Sequence, residues 1–277
     1  MRHRLHSICP YFAMFPEKFV EEQVNLYSER RDYVFDPFSG RGTTLFQSLL
    51  MGRNAAATDI NPVAFCISGA KAETPSLADV LNEIDSLERL CSVTDHEALE
   101  VERQHLPAFF RRAFYHSTLR ELLFLRGALD WRQSSVHRFT AALVLGSLHG
   151  EMDKSDSYFS NQMPRTISMK PRYSLKYWRE HNLWPRKREV FKLLRERAAL
   201  RLSDEMPASH GRIALSDARK ASQEFLDLTG KVRLVVTSPP YYDVTNYEED
   251  QWLRLWFLGN EPKPTYQLIS KDDRHST

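Results

Sequence analysis

The sequence has few cysteines and no long apolar run, and both absences exclude whole classes of protein. Its three cysteines, Cys9, Cys66 and Cys91, are far apart and form no C-x-x-C pair. They imply neither a disulfide framework nor a zinc site, so a reducing cytoplasm is the expected setting and no metal is expected. The longest nearly uncharged run, residues 139–150, is about half of the ~20 residues that a membrane helix needs. The charged N-terminus has no signal-like apolar stretch, and no membrane association is expected.

Internal repeats, low-complexity tracts and heptads are also missing, which argues against solenoids and coiled coils. The hydrophobic fraction of 42% is enough to bury a core, and it excludes a disordered chain. Net charge is only +2, but its distribution is uneven. Residues 71–100 hold eight acids and two bases, a net charge of −6, whereas residues 161–201 hold twelve bases and three acids, a net charge of +9. We expect the two stretches to face different surroundings.

Aromatic residues are interleaved with the basic ones, as in KPRYSLKYWRE at 170–180. This composition suits phosphates together with stacked bases or sugars. The alternative is a solvated surface helix that rests Trp178 and Trp184 on the core. Composition alone leaves both interpretations open.

Hydrophobic periodicity divides the chain into three zones. Residues 1–74 contain a short apolar run at 33–35, a glycine turn, a helical pattern ending at Gly52 and a second run at 55–60, which together predict a βαβ unit. Residues 75–205 have mostly helical periodicity. Residues 206–277 return to an α/β pattern, and the run VRLVVT at 232–237 predicts a strand buried on both faces. We predict an α/β domain interrupted by a mostly helical, partly basic insertion.

A glycine turn flanked by two acids is the first candidate site. Asp36 ends the first predicted strand, Gly40 and Gly42 lie in the turn before a helix that starts at Thr43, and Asp59 ends the second strand. Ligands of open α/β sheets bind at such strand ends, and the second acid is placed to accept hydrogen bonds from a ribose. The turn has no P-loop lysine and no G-x-G-x-x-G pattern. An acid at its head suits a cationic adenosine ligand such as S-adenosylmethionine. The alternative is a turn that serves only packing, with Asp36 as a cap.

The motif TSPPYY at 237–242 is the second candidate site. It follows a predicted strand, so Ser238, Pro239, Pro240 and Tyr241 are expected in the same crevice. Prolines fix the backbone and leave their carbonyls free to accept hydrogen bonds. Methylation of an aromatic amine needs acceptors for both N–H groups, which the Ser238 hydroxyl and the Pro239 carbonyl can supply, and Tyr241 offers a stacking face. The alternative is a plain turn before the helix EEDQWLRLWF.

These two motifs resemble those of a known family. FDPFSGRGTT with TDINP is similar to the cofactor motif of S-adenosylmethionine-dependent DNA amino-methyltransferases, and VVTSPPYY is similar to their catalytic motif, whose serine form is more often seen in cytosine-N4 than in adenine-N6 enzymes. The resemblance covers about residues 10–70 and 210–260. It implies a Rossmann-like class I methyltransferase sheet and S-adenosyl-L-methionine as cofactor. It assigns the cofactor to Phe15, Asp36, Phe38, Gly40, Gly42, Thr43, Asp59 and Asp217, and the target base to Ser238, Pro239, Pro240 and Tyr241.

For Asp217 a helix N-cap is an equally good interpretation. The insertion is then the expected target-recognition element, with double-stranded DNA as partner. Its candidate DNA-binding residues are Arg165, Lys170, Arg172, Tyr173, Lys176, Tyr177 and Arg179.

Two departures from the family pattern affect the prediction. The cofactor motif precedes the catalytic motif, unlike the order common among serine-motif enzymes. Only 35 residues follow Tyr242, too few for the remaining strands of a complete sheet. The expectation is therefore a truncated chain, a permuted sheet, or a sheet that a second chain completes.

The predicted function is site-specific methylation of a flipped base at its exocyclic amine, foremost cytosine N4, as the modification partner of a restriction endonuclease. Methylation at a ring carbon is excluded because no cysteine follows a proline or lies near the S-P-P-Y motif. The alternatives are adenine-N6 methylation, methylation of an RNA or protein amine, and an inactive DNA-binding remnant.

Overall fold

The structure contains one four-stranded parallel sheet in the residues that it describes. The computed structural model describes residues 2–11, 16–150, 158–163, 170–240 and 247–262. The strands are β1 (Tyr33–Asp36), β2 (Asn54–Asp59), β3 (Arg212–Leu215) and β4 (Val232–Val235), in the order β3-β2-β1-β4. All three strand pairs are parallel. The predicted α/β class and βαβ start are confirmed, and the sheet is of the Rossmann-like methyltransferase type.

Twelve α-helices lie within the described ranges. They are α1 (Glu17–Tyr27), α2 (Thr43–Leu50), α3 (Pro62–Ala72), α4 (Leu77–Val93), α5 (His96–His105), α6 (Ala108–Ala113), α7 (His116–Ala128), α8 (Ser135–Ser147), α9 (Pro171–Glu180), α10 (Val190–Arg201), α11 (Ala221–Glu224) and α12 (Tyr247–Phe257). Short 3-10 helices cover Arg4–Ser7, Ala218–Lys220 and Leu226–Leu228. In the described part of the chain, no helix is long and apolar enough to cross a bilayer.

The chain divides into two compact units. The first comprises residues 1–80, 130–142 and 198–240, and the second comprises residues 81–129, 143–197 and 241–277. The first unit holds the sheet, and the second is helical in its described parts. The three-zone division at residues 74 and 205 stays a prediction.

Both faces of the sheet are covered by apolar side chains. On one face, Val20 and Val24 of α1 pack with Val34 of β1. On the other face, Phe225 and Leu228 pack with Phe35 and neighbouring strand residues. Since successive side chains of a strand point to opposite faces, the YVF run of β1 supplies both layers of the core.

The prediction that the VRLVVT strand is buried on both faces is wrong. β4 lies at one end of the described strand order, and Val235 is 53% exposed. Its pairing with β1 is irregular, because Tyr33 pairs with Val232 whereas Val34 pairs with Leu234, which leaves Arg233 as an extra exposed residue. Such irregularities are common in edge strands, where one side of the strand has no neighbour to pack against.

The acidic and basic stretches do not face wholly different surroundings. Within the second unit, Arg195 of basic α10 donates to Asp85 of acidic α4 at 2.7 Å and also pairs with Glu88. Part of the basic charge therefore neutralises the acidic helix instead of facing a partner.

Candidate active site at the carboxyl ends of β1 and β4

The two sequence motifs meet at neighbouring strand ends. The Thr237 hydroxyl donates to an Asp36 carboxylate oxygen at 2.6 Å, although the two residues are 201 positions apart. The Val236 amide donates to the Phe35 carbonyl at 3.1 Å, and the Thr44 hydroxyl donates to the Val236 carbonyl at 2.9 Å. The start of α2, the end of β1 and the residues after β4 are thus joined by direct hydrogen bonds.

The glycine turn between β1 and α2 has left-handed backbone at two positions. Gly40 has φ +53° and Gly42 has φ +72°, a region that side chains with a Cβ rarely adopt. A Cβ added at Gly42 would lie 2.8 Å from the Ser68 hydroxyl oxygen and 3.1 Å from the Ser68 Cα. Gly42 is therefore required both by its conformation and by the close approach of α3.

Two side chains of α3 form hydrogen bonds with this turn. The Ser39 hydroxyl donates to the Ser68 hydroxyl at 2.8 Å, and Ser68 in turn donates to the Gly40 carbonyl at 3.1 Å. Lys71, which is 1% exposed, donates to the Arg41 carbonyl at 2.5 Å. Ser68 and Lys71 could not be singled out from the sequence, because their spacing on a helix resembles that of ordinary core-facing positions.

The two acids of the first motif are engaged by backbone amides. Asp36 is 1% exposed and accepts from the Phe38 amide at 3.1 Å in addition to Thr237. Asp59 accepts from the Gly40 amide at 2.8 Å and from the Asn61 amide at 2.9 Å. Burial raises the pKa of each carboxyl from 3.8 to about 6. At neutral pH both are ionised, which concentrates negative charge at this edge of the sheet.

The other predicted cofactor residues have unequal positions. Phe38 is 38% exposed at the tip of the turn, whereas Thr43 is buried and accepts from Arg41 at 3.2 Å. Asp217 accepts from the Arg219 amide at 2.8 Å and pairs with the Arg219 guanidinium, which lowers its pKa to about 2. This is the helix N-cap interpretation, realised on a 3-10 helix. Phe15 lies outside the described residues.

The S-P-P-Y segment is accessible where the structure describes it. Ser238 is partly exposed, and Pro239 and Pro240 are exposed. Tyr241 lies outside the described residues. Thr237, the residue before Ser238, fixes the start of this segment through its hydrogen bond to Asp36. In the sequence, only the position of Thr237 next to the motif indicates this role.

The candidate DNA-binding residues lie on and beside α9 in the second unit. Lys170 precedes the helix, and Arg172, Tyr173, Lys176 and Arg179 are exposed, whereas Tyr177 is half-buried. Trp178 is fully buried and its indole N–H donates to the Gln162 carbonyl at 2.9 Å. Trp184 is 65% exposed, so the alternative in which both tryptophans rest on the core does not hold for Trp184. Arg165 lies outside the described residues.

Comparison with known proteins finds a family model that matches the N-terminal part of the chain. Residues 2–68 match the family model for N6 and N4 methyltransferases, described as DNA methylase. The Type II methyltransferase M.MjaII of Methanocaldococcus jannaschii is 36% identical over 69 residues, covering 25% of this chain and 13% of the relative. The Type II methyltransferase M.MvaI of Kocuria varians is 29% identical over 121 residues, covering 42% of this chain and 26% of the relative.

A third relative shares a shorter stretch. The orphan methyltransferase M.BamHII of Bacillus amyloliquefaciens is 43% identical over 49 residues, which is 18% of each chain. The matches thus span between 13% and 26% of the length of these relatives.

Proposed function

We propose that the chain is a DNA amino-methyltransferase, the family whose model residues 2–68 match, and that it transfers a methyl group from S-adenosylmethionine to the exocyclic amine of a base in DNA, with cytosine N4 as the target. The hydrogen bond of 2.6 Å between Thr237 and Asp36 carries this proposal, because it joins the S-P-P-Y segment to the glycine turn. A cytoplasmic enzyme paired with a restriction endonuclease is part of the same proposal.

The residues of the turn fit an adenosine cofactor that carries positive charge. S-adenosylmethionine, when bound, supplies an electrophilic methyl group on a cationic sulfur. A carboxylate has about four lone-pair sites, so Asp59 keeps acceptors for ribose hydroxyls after its bonds to the Gly40 and Asn61 amides. Asp36 and Asp59 are ionised at neutral pH, which favours a cationic ligand. Phe38, exposed at the tip of the turn, is available to cover it.

The proposed role of Ser238 and Pro239 is to orient the target amine. The lone pair of an aromatic amine is delocalised into the ring, so hydrogen-bond acceptors on both N–H groups are needed to expose it for attack. The Ser238 hydroxyl and the Pro239 carbonyl are acceptors on an accessible, proline-stiffened segment. A base must leave the duplex to reach them, and its orientation there would supply much of the rate acceleration. The serine at this position favours cytosine N4 over adenine N6.

Ser238→Ala tests the assignment. We expect methyl transfer from labelled S-adenosylmethionine to mixed-sequence duplex DNA to fall at least roughly tenfold, because one oriented hydrogen bond to the amine is lost. The affinity for S-adenosylmethionine, measured by calorimetry, should stay the same. Ser222→Ala, an exposed serine of the same unit, is the control and should leave both quantities unchanged.

Mass spectrometry of nucleosides from the methylated DNA identifies the product. N4-methylcytosine is the expected nucleoside, and N6-methyladenine would contradict the choice of base. If Ser238→Ala lost methyl transfer and cofactor affinity to the same extent, the proposed contact between Ser238 and the target amine would be contradicted. A wild-type chain without cofactor affinity would contradict the proposed function itself.

A further inference from the structure

Trp184 is an exposed aromatic residue that is held rigidly at one position. Its side chain is 65% exposed, whereas the other four tryptophans, Trp131, Trp178, Trp252 and Trp256, are at most 5% exposed. A single exposed aromatic side chain is common on protein surfaces and assigns no role by itself. What distinguishes Trp184 is the set of contacts around its ring.

The Arg112 guanidinium covers one face of the indole, with its central carbon 3.6 Å from the ring centroid. Arg112 is itself fixed, because it donates to the Trp178 carbonyl at 3.2 Å near the end of α9. The indole N–H of Trp184 donates to the Asn182 side chain at 3.2 Å. Asn182 has φ +50°, the left-handed conformation of a tight turn after a helix. The ring orientation is thus set from one face and from one edge, and the exposed area leaves the other face open.

The sequence around Trp184 carries a strong positive charge. Residues 170–188 contain seven bases and one acid, Glu180, a net charge of +6. On α9, Arg172, Lys176 and Arg179 are exposed and spaced i, i+4, i+7, so they form one straight cationic stripe. At a rise of about 1.5 Å per residue this stripe is about 10 Å long. Its spacing and charge suit the phosphates of a nucleic-acid strand.

We propose that Trp184 is a stacking platform for an unpaired nucleobase of DNA, and that the Arg172, Lys176 and Arg179 stripe binds the phosphates of the same strand. Stacking on an aromatic face accepts any base, and the guanidinium behind the ring adds a cation–π contact. The platform would hold a locally opened strand, whichever base is modified. This inference rests on the proposed function only for the choice of DNA as the ligand.

The test compares three fluorescein-labelled DNAs without cofactor: an intact duplex, the same duplex with one extra unpaired base, and the single strand. We expect the wild-type chain to bind the bulged duplex and the single strand more tightly than the intact duplex. Trp184→Ala should weaken binding to these two by about tenfold, with little change for the intact duplex. Trp184→Phe should recover most of the preference, because it keeps an aromatic face.

Two controls separate stacking from charge. Arg172→Ala and Arg179→Ala should weaken all three complexes alike and reduce the slope of log affinity against log salt by about one each. Tryptophan fluorescence should be quenched when the wild-type chain binds the bulged duplex, and it should not be quenched in Trp184→Phe, whose remaining indoles are buried. Circular dichroism checks that each variant is folded.

Three outcomes would overturn the inference. They are equal affinities of Trp184→Ala and wild type for the bulged duplex, equal quenching by polyglutamate, and tighter binding of a matching RNA than of the DNA. Failure of the proposed function is distinguishable. A chain that shows the Trp184-dependent preference without transferring methyl groups would refute only the proposed function, whereas methyl transfer with an unaffected Trp184→Ala would refute only the platform.

Discussion

Asp36 links the two halves of the candidate site through a single carboxylate. It accepts from Thr237 beyond β4 and from Phe38 in the glycine turn, and its side chain is almost fully buried. Burial disfavours the charged form, and the hydrogen bonds offset only part of that effect, so its pKa rises to about 6. Lowering the pH through about 6 therefore protonates the carboxyl group that accepts both hydrogen bonds.

Asp36→Asn tests this linkage through stability. Because the pKa in the folded state, about 6, exceeds the ordinary value of 3.8, the folded state binds the extra proton between these values, and this group's contribution to stability increases as pH falls from 7.5 to 5. The asparagine variant lacks that gain. Its loss of unfolding free energy relative to wild type should therefore be larger at pH 5 than at pH 7.5, by roughly 1 kcal/mol.

Urea unfolding at the two pH values measures the difference. Asp217→Asn is the matched control. The pKa of Asp217 is lowered from 3.8 to about 2 by its bond to Arg219, and both values lie below pH 5. Its loss of stability should be the same at pH 5 and pH 7.5. Parallel curves for Asp36→Asn and wild type would contradict the raised pKa of Asp36.

At the scale of elements, the turn between β1 and α2 depends on the close approach of α3. Ser68 contacts the turn where Gly42 has no side chain, and it also bonds to Ser39 and Gly40. The turn is consequently shaped by a helix that follows β2, and it is not a property of the G-R-G sequence alone.

Gly42→Ala measures this dependence, and Gly230→Ala is a close control. Both glycines have left-handed backbone, φ +72° and +73°, but a Cβ at Gly230 meets no atom within 4 Å. The control should therefore lose only the conformational term, about 1 kcal/mol of unfolding free energy. Gly42→Ala should lose about 3 kcal/mol, because Ser68 must also move. Equal losses in chemical denaturation would show that α3 tolerates the added methyl group.

The elements that sequence predicted well are those fixed by local patterns. The β1-turn-α2-β2 unit follows from apolar runs, two glycines and a helical period within residues 33–59, and the structure has it. The position of β4 at one end of the described strand order was missed, because V-R-L-V-V-T has the composition of a central strand and only its pairing with β1 shows Arg233 exposed. Arg112 and Trp184 are far apart in the sequence, and no periodicity could pair them.

The same distinction applies to the candidate site. The positions of Asp36, Asp59 and Ser238 at strand ends could be predicted, since polar residues directly follow apolar runs there. Their mutual contacts could not, because the bond from Thr237 to Asp36 depends on which strand lies next to β1. The burial of Lys71 could not be predicted either. Lysine is rarely buried without a hydrogen-bond partner, and here the partner is the Arg41 carbonyl in the turn, which the sequence does not reveal.

At the scale of the whole molecule, the uneven charge is partly neutralised within the second unit. Arg195 of α10 joins two acids of α4, Asp85 and Glu88. These three side chains are between 32% and 48% exposed, so solvent and salt weaken their attraction. The basic residues between positions 170 and 188 do not take part in these two ion pairs.

Arg195→Met should reduce the unfolding free energy by about 0.5 to 1 kcal/mol at low salt, and the loss should shrink as salt is added. Lys192→Met on the same helix is the control. Lys192 is 67% exposed and pairs only weakly with Glu189 at 3.7 Å, so its loss should be within a few tenths of a kcal/mol. Thermal unfolding at low and high salt checks both values. A loss in Arg195→Met that does not change with salt would show that the arginine acts through its aliphatic stem.

The strand order β3-β2-β1-β4 also determines when β1 acquires its second neighbour during synthesis. β2 follows β1 after one helix, but the partner of Asp36 beyond β4 comes 201 residues later. At about 5 to 20 residues per second, a ribosome takes about 10 to 40 s to make that stretch. If β1 and β2 pair during this time, the backbone N–H and C=O groups on the other edge of β1 lack their partner strand, and a chaperone bound to the emerging N-terminal segment would protect that edge from aggregation until β4 is made.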